Sequence, residues 1–244
     1  MKMFSRQCQA ELIRMFRNRY YIFWSLLMPI IFYYIFTKVV STPDVDADLW
    51  KAHYLMSMTT FSVMGSSIMT LGIKMVQERS EGWTLYLKIT PLPTSVYFAA
   101  KIAAQTVIHL FSIFVIFLAG YIINGVSLSP LQWLLCALWI LFGSLPFLAI
   151  GTLVGSMKKV ETAAGISNLI YMALAVVGGM WMPVEVFPKF MQAISDWLPS
   201  NSFAGGAWEI IRGNSPSLQG ILLIIGYLFL FMVLSIYIRK RQNA

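Results

Sequence analysis

Charge is what this sequence has least of. Only 11% of its 244 residues are Asp, Glu, Lys or Arg, while 58% are hydrophobic. Soluble domains carry about a quarter charged residues. One core cannot hide that much apolar surface, so the surplus must face lipid. Cysteine is equally scarce. Cys8 and Cys136 lie far apart, which excludes a disulfide framework and a cysteine metal motif. His53 and His109 are the two histidines, too far apart in sequence to form a metal pair. No HExxH, no Walker sequence and no nucleophile–base–acid set is visible, so the chain is not expected to be an enzyme. The N-terminal region does not read as a cleaved secretory signal.

What is present is a series of long uncharged segments separated by short polar ones. A membrane helix needs about 20 apolar residues. The reading is an all-α polytopic membrane protein with six transmembrane helices in one domain, 1–244. The spans are placed at 20–40, 54–76, 96–123, 131–157, 162–182 and 217–238. Residues 1–19 carry Phe4, Cys8, Leu12 and Met15 at helical spacing, with Phe16 beside them, on an otherwise basic segment. That pattern predicts an interfacial helix against anionic lipid. Tyr20, Tyr21 and Trp24 fit an aromatic belt at one end of the first span, and Pro29 predicts a kink in it.

The second span is rich in small and hydroxylated residues. Thr59, Ser62, Ser66 and Thr70 share one helical face beside Gly65. Such a face packs against another helix or lines a route for a polar or amphipathic substrate, and both readings stay open. Asn168, early in the fifth span, is grouped with it. His109 reads as a packed histidine rather than a proton relay. Gly151 and Gly155 have the spacing that permits close helix approach.

Between the second and third spans lies KMVQERSEGWTLYLKITPLPTSVYFAAK, Lys74 to Lys101. Gln77 to Leu87 is expected as a short amphipathic helix, ended by Pro91 and Pro93. This segment, 77–93, is where a separate protein would push on the membrane part. The last polar region, 183–213, is too hydrophobic for a free loop and too interrupted for a span. Short re-entrant-like helices at the external face suit it, covered by protein rather than lipid.

The basic residues set the orientation. All lysines and arginines except Lys38, Lys51, Lys189 and Arg212 fall on the side that holds both termini and the 77–93 loop. The positive-inside rule makes that side cytoplasmic. It also accounts for the net charge of +8 without nucleic acid, because the cations flank spans instead of forming a base-reading element.

Through these features the chain resembles the membrane (permease) subunits of the ABC-2 type exporter family over nearly its whole length. The resemblance rests on the basic N-terminal helix, the six spans and the loop Gln77-Glu78-Arg79-Ser80-Glu81-Gly82-Trp83. It rests most on Gly178 to Pro188 (GGMWMPVEVFP), followed by Ile194 to Pro199 and Glu209-Ile210-Ile211-Arg212-Gly213. It implies two membrane subunits working with two separate cytoplasmic ABC ATPase subunits, which would hold ATP and Mg2+; this chain holds no cofactor and no metal. A homodimer is expected, a heterodimer being the alternative. A coupling contact is expected at Gln77, Glu78, Arg79, Glu81, Gly82, Trp83 and Leu87, with charge-assisted bonds from Glu78, Arg79 and Glu81 and apolar anchors at Trp83 and Leu87. Thr59, Ser62, Ser66, Thr70 and Asn168 are the candidate substrate path. Trp181, Pro183, Glu185, Pro188 and Glu209 are the candidate external gate. The implied activity is ATP-driven export of a drug-, antibiotic- or lipid-like compound across a bacterial plasma membrane. The alternatives are a non-transporting sensor or immunity protein and an ion-gradient-driven carrier.

Overall fold

The computed structural model describes residues 2–39 and 47–243. Asp44 and Asp46 lie outside the described residues. So do the side chains of Arg19, Tyr20, Tyr21, Trp24, Lys88, Arg239 and Lys240, and with them the aromatic belt expected at Tyr20, Tyr21 and Trp24.

The described residues are helical, without strands. In order they form α1 (Lys2–Arg17), α2 (Arg19–Lys38), α3 (Ala47–Gly65), a π turn (Ser66–Thr70), α4 (Leu71–Ser80), α5 (Trp83–Lys88), α6 (Thr94–Asn124), α7 (Pro130–Gly143), α8 (Leu145–Val154), α9 (Val160–Val177), a 3-10 turn (Val184–Val186), α10 (Lys189–Ser195), α11 (Pro199–Ile211) and α12 (Leu218–Asn243).

Among the described residues, four helical stretches are long and apolar enough to cross a membrane: Thr94–Asn124, Pro130–Val154, Val160–Val177 and Leu218–Ile238. The other two expected spans do not reach that measure. For α2 the described apolar part is Ser25–Lys38. For the second, the reason is where it sits. The α3 helix, the π turn and α4 follow one another with right-handed helical backbone at their junctions, giving one rod from Ala47 to Ser80. Every residue of that rod from Tyr54 to Ile68 is buried. A rod sheathed by other helices does not need lipid-grade hydropathy.

Its hydroxyls are satisfied locally. Thr59 Oγ1 donates to Leu55 O at 2.7 Å, Thr60 Oγ1 to Met56 O at 3.0 Å and Ser67 Oγ to Val63 O at 2.7 Å. Small residues let neighbours close in. A Cβ on Gly151 of α8 would strike the Ser67 carbonyl, and one on Gly65 would strike the Tyr171 ring of α9. The small-residue spacing of Gly151 and Gly155 thus marks a true close approach, with Gly155 against Met75. The π turn falls at this contact, where an extra residue per turn relieves the ladder.

The expected helix over Gln77 to Leu87 is two pieces instead. Gly82 adopts a left-handed backbone, φ 77°, and breaks it into the end of α4 and the separate α5. Similarly, the fourth span is broken at Ser144, immediately before Leu145-Pro146. Part of the apolar stripe of α1 is covered by protein: Cys8, Leu12 and Met15 pack on Ala104 and Ile108 of α6, and Phe16 meets Phe111 edge-on at 5.6 Å, while Phe4 stays exposed. The helix therefore docks on α6 through the middle of that stripe.

Candidate functional site

One end of the bundle gathers α1, the end of α4, the start of α6 and the end of α8. Three charged residues are buried there: Glu11, Glu78 and Lys101, with relative exposures of 4%, 7% and 4%. Each comes from a different helix. The Lys101 ammonium lies 2.7 Å from Glu78 Oε1 and 3.2 Å from Glu11 Oε1. Arg14 pairs with Glu11 at 2.8 Å and also contacts Glu78. The Tyr97 hydroxyl donates to the other Glu78 oxygen. Burial by itself would raise the Glu78 carboxyl, but the Lys101 charge, the hydrogen bonds from Lys101 and Tyr97 and the Arg14 charge outweigh it and hold the carboxyl below its ordinary value.

Such a cluster does more to fix geometry than to add stability. Buried ion pairs roughly balance desolvation, yet removing one partner costs about 3–5 kcal/mol because a charge is stranded. The three helices are therefore locked in one relative position. Arg79 adds a fourth element: its guanidinium donates to the carbonyls of Gly155 and Ser156, at the end of α8.

Directly beyond the cluster, α5 turns outward. Trp83, Leu85, Tyr86 and Ile89 are exposed, Ile89 to 82%. Trp83 and Tyr86 sit side by side, ring centroids 6.4 Å apart. The residues expected as one contact set therefore divide. Gln77, Glu81 and Trp83 are exposed, Gln77 Nε2 donating to Glu81 Oε1 at 2.8 Å. Gly82 makes the turn and Leu87 is half-buried. Glu78 and Arg79 instead direct their charges inward, because two cations, Lys101 and Arg14, and the Gly155 and Ser156 carbonyls await them there. Sequence reasoning missed Leu85, Tyr86 and Ile89 on the surface and Glu11, Arg14, Tyr97 and Lys101 beneath it. The available signal was Glu11, the one acid in a basic amphipathic helix.

The other two expected groups also separate. Thr59, Ser62, Ser66 and Thr70 are all buried. Ser62 Oγ donates to Ser25 O at 3.4 Å, and Ser66 Oγ accepts from Gln105 Nε2 at 2.6 Å. Within one chain this face packs against α2 and α6. Asn168 is exposed on α9 and does not join it. His109 is packed, its Nε2 3.2 Å from Ser67 Oγ.

At the opposite end, Trp181 meets Phe32 at 5.4 Å and Phe61 at 5.8 Å, and its carbonyl accepts from Tyr54 Oη at 3.2 Å. Pro183, Glu185 and Pro188 frame the 3-10 turn. Glu209 lies on α11, paired with Arg212 at 3.1 Å. His53 stacks on Trp208 at 4.5 Å. These short helices close that end of the bundle with protein–protein contacts. Among the described residues, no group of three or more His, Cys, Asp or Glu is placed to hold a metal ion.

Comparison with known proteins agrees with this architecture. The sequence model described as ABC-2 type transporter matches residues 4–211. The chain is 60% identical over 244 residues to a protein named transport permease YvfS from Bacillus subtilis (strain 168), covering 100% of both. It is also 32% identical over 129 residues to the linearmycin resistance permease protein LnrN of the same organism, covering 49% of this chain and 33% of that protein.

Proposed function

This chain belongs to the ABC-2 type transporter family as a membrane permease, and we propose that it is the transmembrane subunit of an ATP-driven exporter. In this reading two copies assemble with two separate ABC ATPase subunits, which hold ATP and Mg2+, and both termini are cytoplasmic. The observation that carries it is the pairing of an exposed aromatic-aliphatic surface on α5 with a buried charge lock directly behind it. An exposed apolar patch of this kind suits a protein partner. The lock suits transmission.

The mechanism follows from the connections. ATP-driven closure of the partner displaces α5. The short turn at Gly82 ties α5 to α4, and α4 is continuous with the buried rod through the bundle. Glu78 carries Lys101 and Glu11 with it, so α6 and α1 move as one body. Arg79 draws the end of α8 along. Packed elements of this sort shift between discrete arrangements rather than bend. The far end of the rod meets the short helices around Trp181 and Trp208, which act as the outer gate.

The second copy is placed against α9. Asn168 is exposed there, and a bare amide is costly in lipid, so a partner helix suits it better. The cargo is proposed as hydrophobic or amphipathic, in line with the resistance function in the name of one relative. The ionic route is disfavoured because His109 is packed against Ser67 and Gln105.

The test is reconstitution. The chain is copurified in mild detergent with the ATPase that accompanies it, placed in vesicles and supplied with ATP and labelled amphiphiles. ATP-dependent accumulation of an amphiphile supports the reading. A chain that repeatedly purifies without any ATPase, in several detergents, contradicts it.

A further inference from the structure

At the end opposite the charge lock, a cavity of about 440 Å3 opens between α11 and the start of α12. Its volume is in the range of small-molecule sites, about 300–1,000 Å3. The cavity lies where Ser202 of α11 faces Gly220 of α12 and Gly205 has open space beside it, so small residues leave the volume unfilled.

Two indole rings form rigid walls. Trp139 Nε1 donates to Phe203 O at 2.8 Å, and Trp208 Nε1 donates to Ser57 Oγ at 3.0 Å. With both nitrogens satisfied, His53 stacked on Trp208 and Gly206 packed on Trp139, the rings offer the cavity only the aromatic surface left uncovered. The charges in the wall have one sign. Asp196 and Glu209 line the cavity, and no Lys, Arg or His does. Glu209 is engaged by Arg212 at 3.1 Å and Asn214 at 2.9 Å. The Asp196 carboxylate has no ion pair among the described residues. On the α12 side, Leu223 adds an apolar group to the wall.

We propose that this cavity binds the ammonium headgroup of an amphiphile, with Trp139 and Trp208 as its aromatic walls and Asp196 as its counter-ion. Aromatic faces and a free carboxylate are the groups that attract an organic cation. The alkyl tail leaves the open side of the cavity past Leu223. The site belongs to one chain and needs neither a second copy nor an ATPase. It rests on the permease reading only for the assignment of this end to the outer leaflet.

Binding is measured on the full chain in lipid nanodiscs, with radiolabelled dodecyltrimethylammonium as probe and dodecyl sulfate as competitor. Two variants are compared. Asp196→Asn removes the free charge from an exposed side chain. Gly205→Leu fills the cavity, at a position where a new Cβ meets nothing closer than Trp208 Cε3 at 3.9 Å. The expected result is saturable binding of one probe per chain, weakened about tenfold in Asp196→Asn, abolished in Gly205→Leu and not displaced by the sulfate. Non-saturable partitioning, equal competition by the sulfate, or unchanged binding in Asp196→Asn overturns the proposal. If Gly205→Leu fails to fold, Asp196→Asn decides alone. No ATPase enters this assay, so retained binding without export removes the transport reading and leaves the site. Export without saturable binding does the reverse.

Discussion

Lys101 of α6 and Glu78 of α4 face each other at 2.7 Å, and both are almost fully buried. Neither helix is held to the other at this point by apolar contact alone. The pair decides how far α4 moves without α6, and through Glu11 it brings in α1 as well.

Two lysines in this region should behave oppositely. Lys101 has two carboxylate partners. The Lys74 ammonium is buried with no hydrogen-bond partner among the described residues. Lys101→Met removes the buried cation shared by two carboxylates, leaving Arg14 as their common counter-ion, and should lower stability by about 3 kcal/mol. Lys74→Met removes an uncompensated buried donor and should leave the melting temperature unchanged or higher. Thermal melts of both variants in the same detergent check this, and an equal loss in both contradicts the assigned pairing.

The lock should also give an acid limb to stability. Glu78 is held below its ordinary value of 4.5 in the folded chain. Its contribution is therefore complete above the unfolded-state value and is lost as pH falls through the lower folded one. Melting temperature should fall on acidification through that window. The fall should be shallower in Glu78→Gln, which starts lower but has no carboxylate there to protonate. Parallel curves for the two proteins would remove Glu78 from the lock.

Two glycines separate folding from assembly. A Cβ on Gly151 collides with the backbone of Ser67, while Gly165 on α9 has nothing within 4 Å. Gly151→Leu should misfold the chain, seen as aggregation on size exclusion. Gly165→Leu should fold normally and weaken association of two copies through α9. Crosslinking in native membranes reads the second effect; unchanged crosslinking would move the interface elsewhere.

Much of this was legible in the sequence, and the rest failed for identifiable reasons. Long uncharged runs and the Asn124 to Pro130 turn announce α6 and α7, and Gly125 does adopt the left-handed backbone at that turn, φ 63°. The hydroxyl face from Thr59 to Thr70 was visible, but whether it packs or lines a path depends on which helices surround it. Sequence has no access to that. Glu78 and Arg79 looked like surface groups because their partners, Lys101, Arg14 and the Gly155 carbonyl, are distant in sequence. The Gly82 break was hidden inside a pattern with helical periodicity. A glycine flanked by Glu81 and Trp83 reads equally as a helix interior or as a C-terminal stop.

The most direct measurement is ATPase copurification with the double variant Trp83→Ala/Tyr86→Ala. Both side chains are exposed and their closest aromatic contact is each other. The variant should melt like the wild-type chain and lose at least about 90% of the bound ATPase, as truncation of two aromatic anchors at about 2 kcal/mol each would require. Full retention of the ATPase by a normally folded variant would contradict the docking role of α5, and with it the transmission path through Glu78 and Lys101.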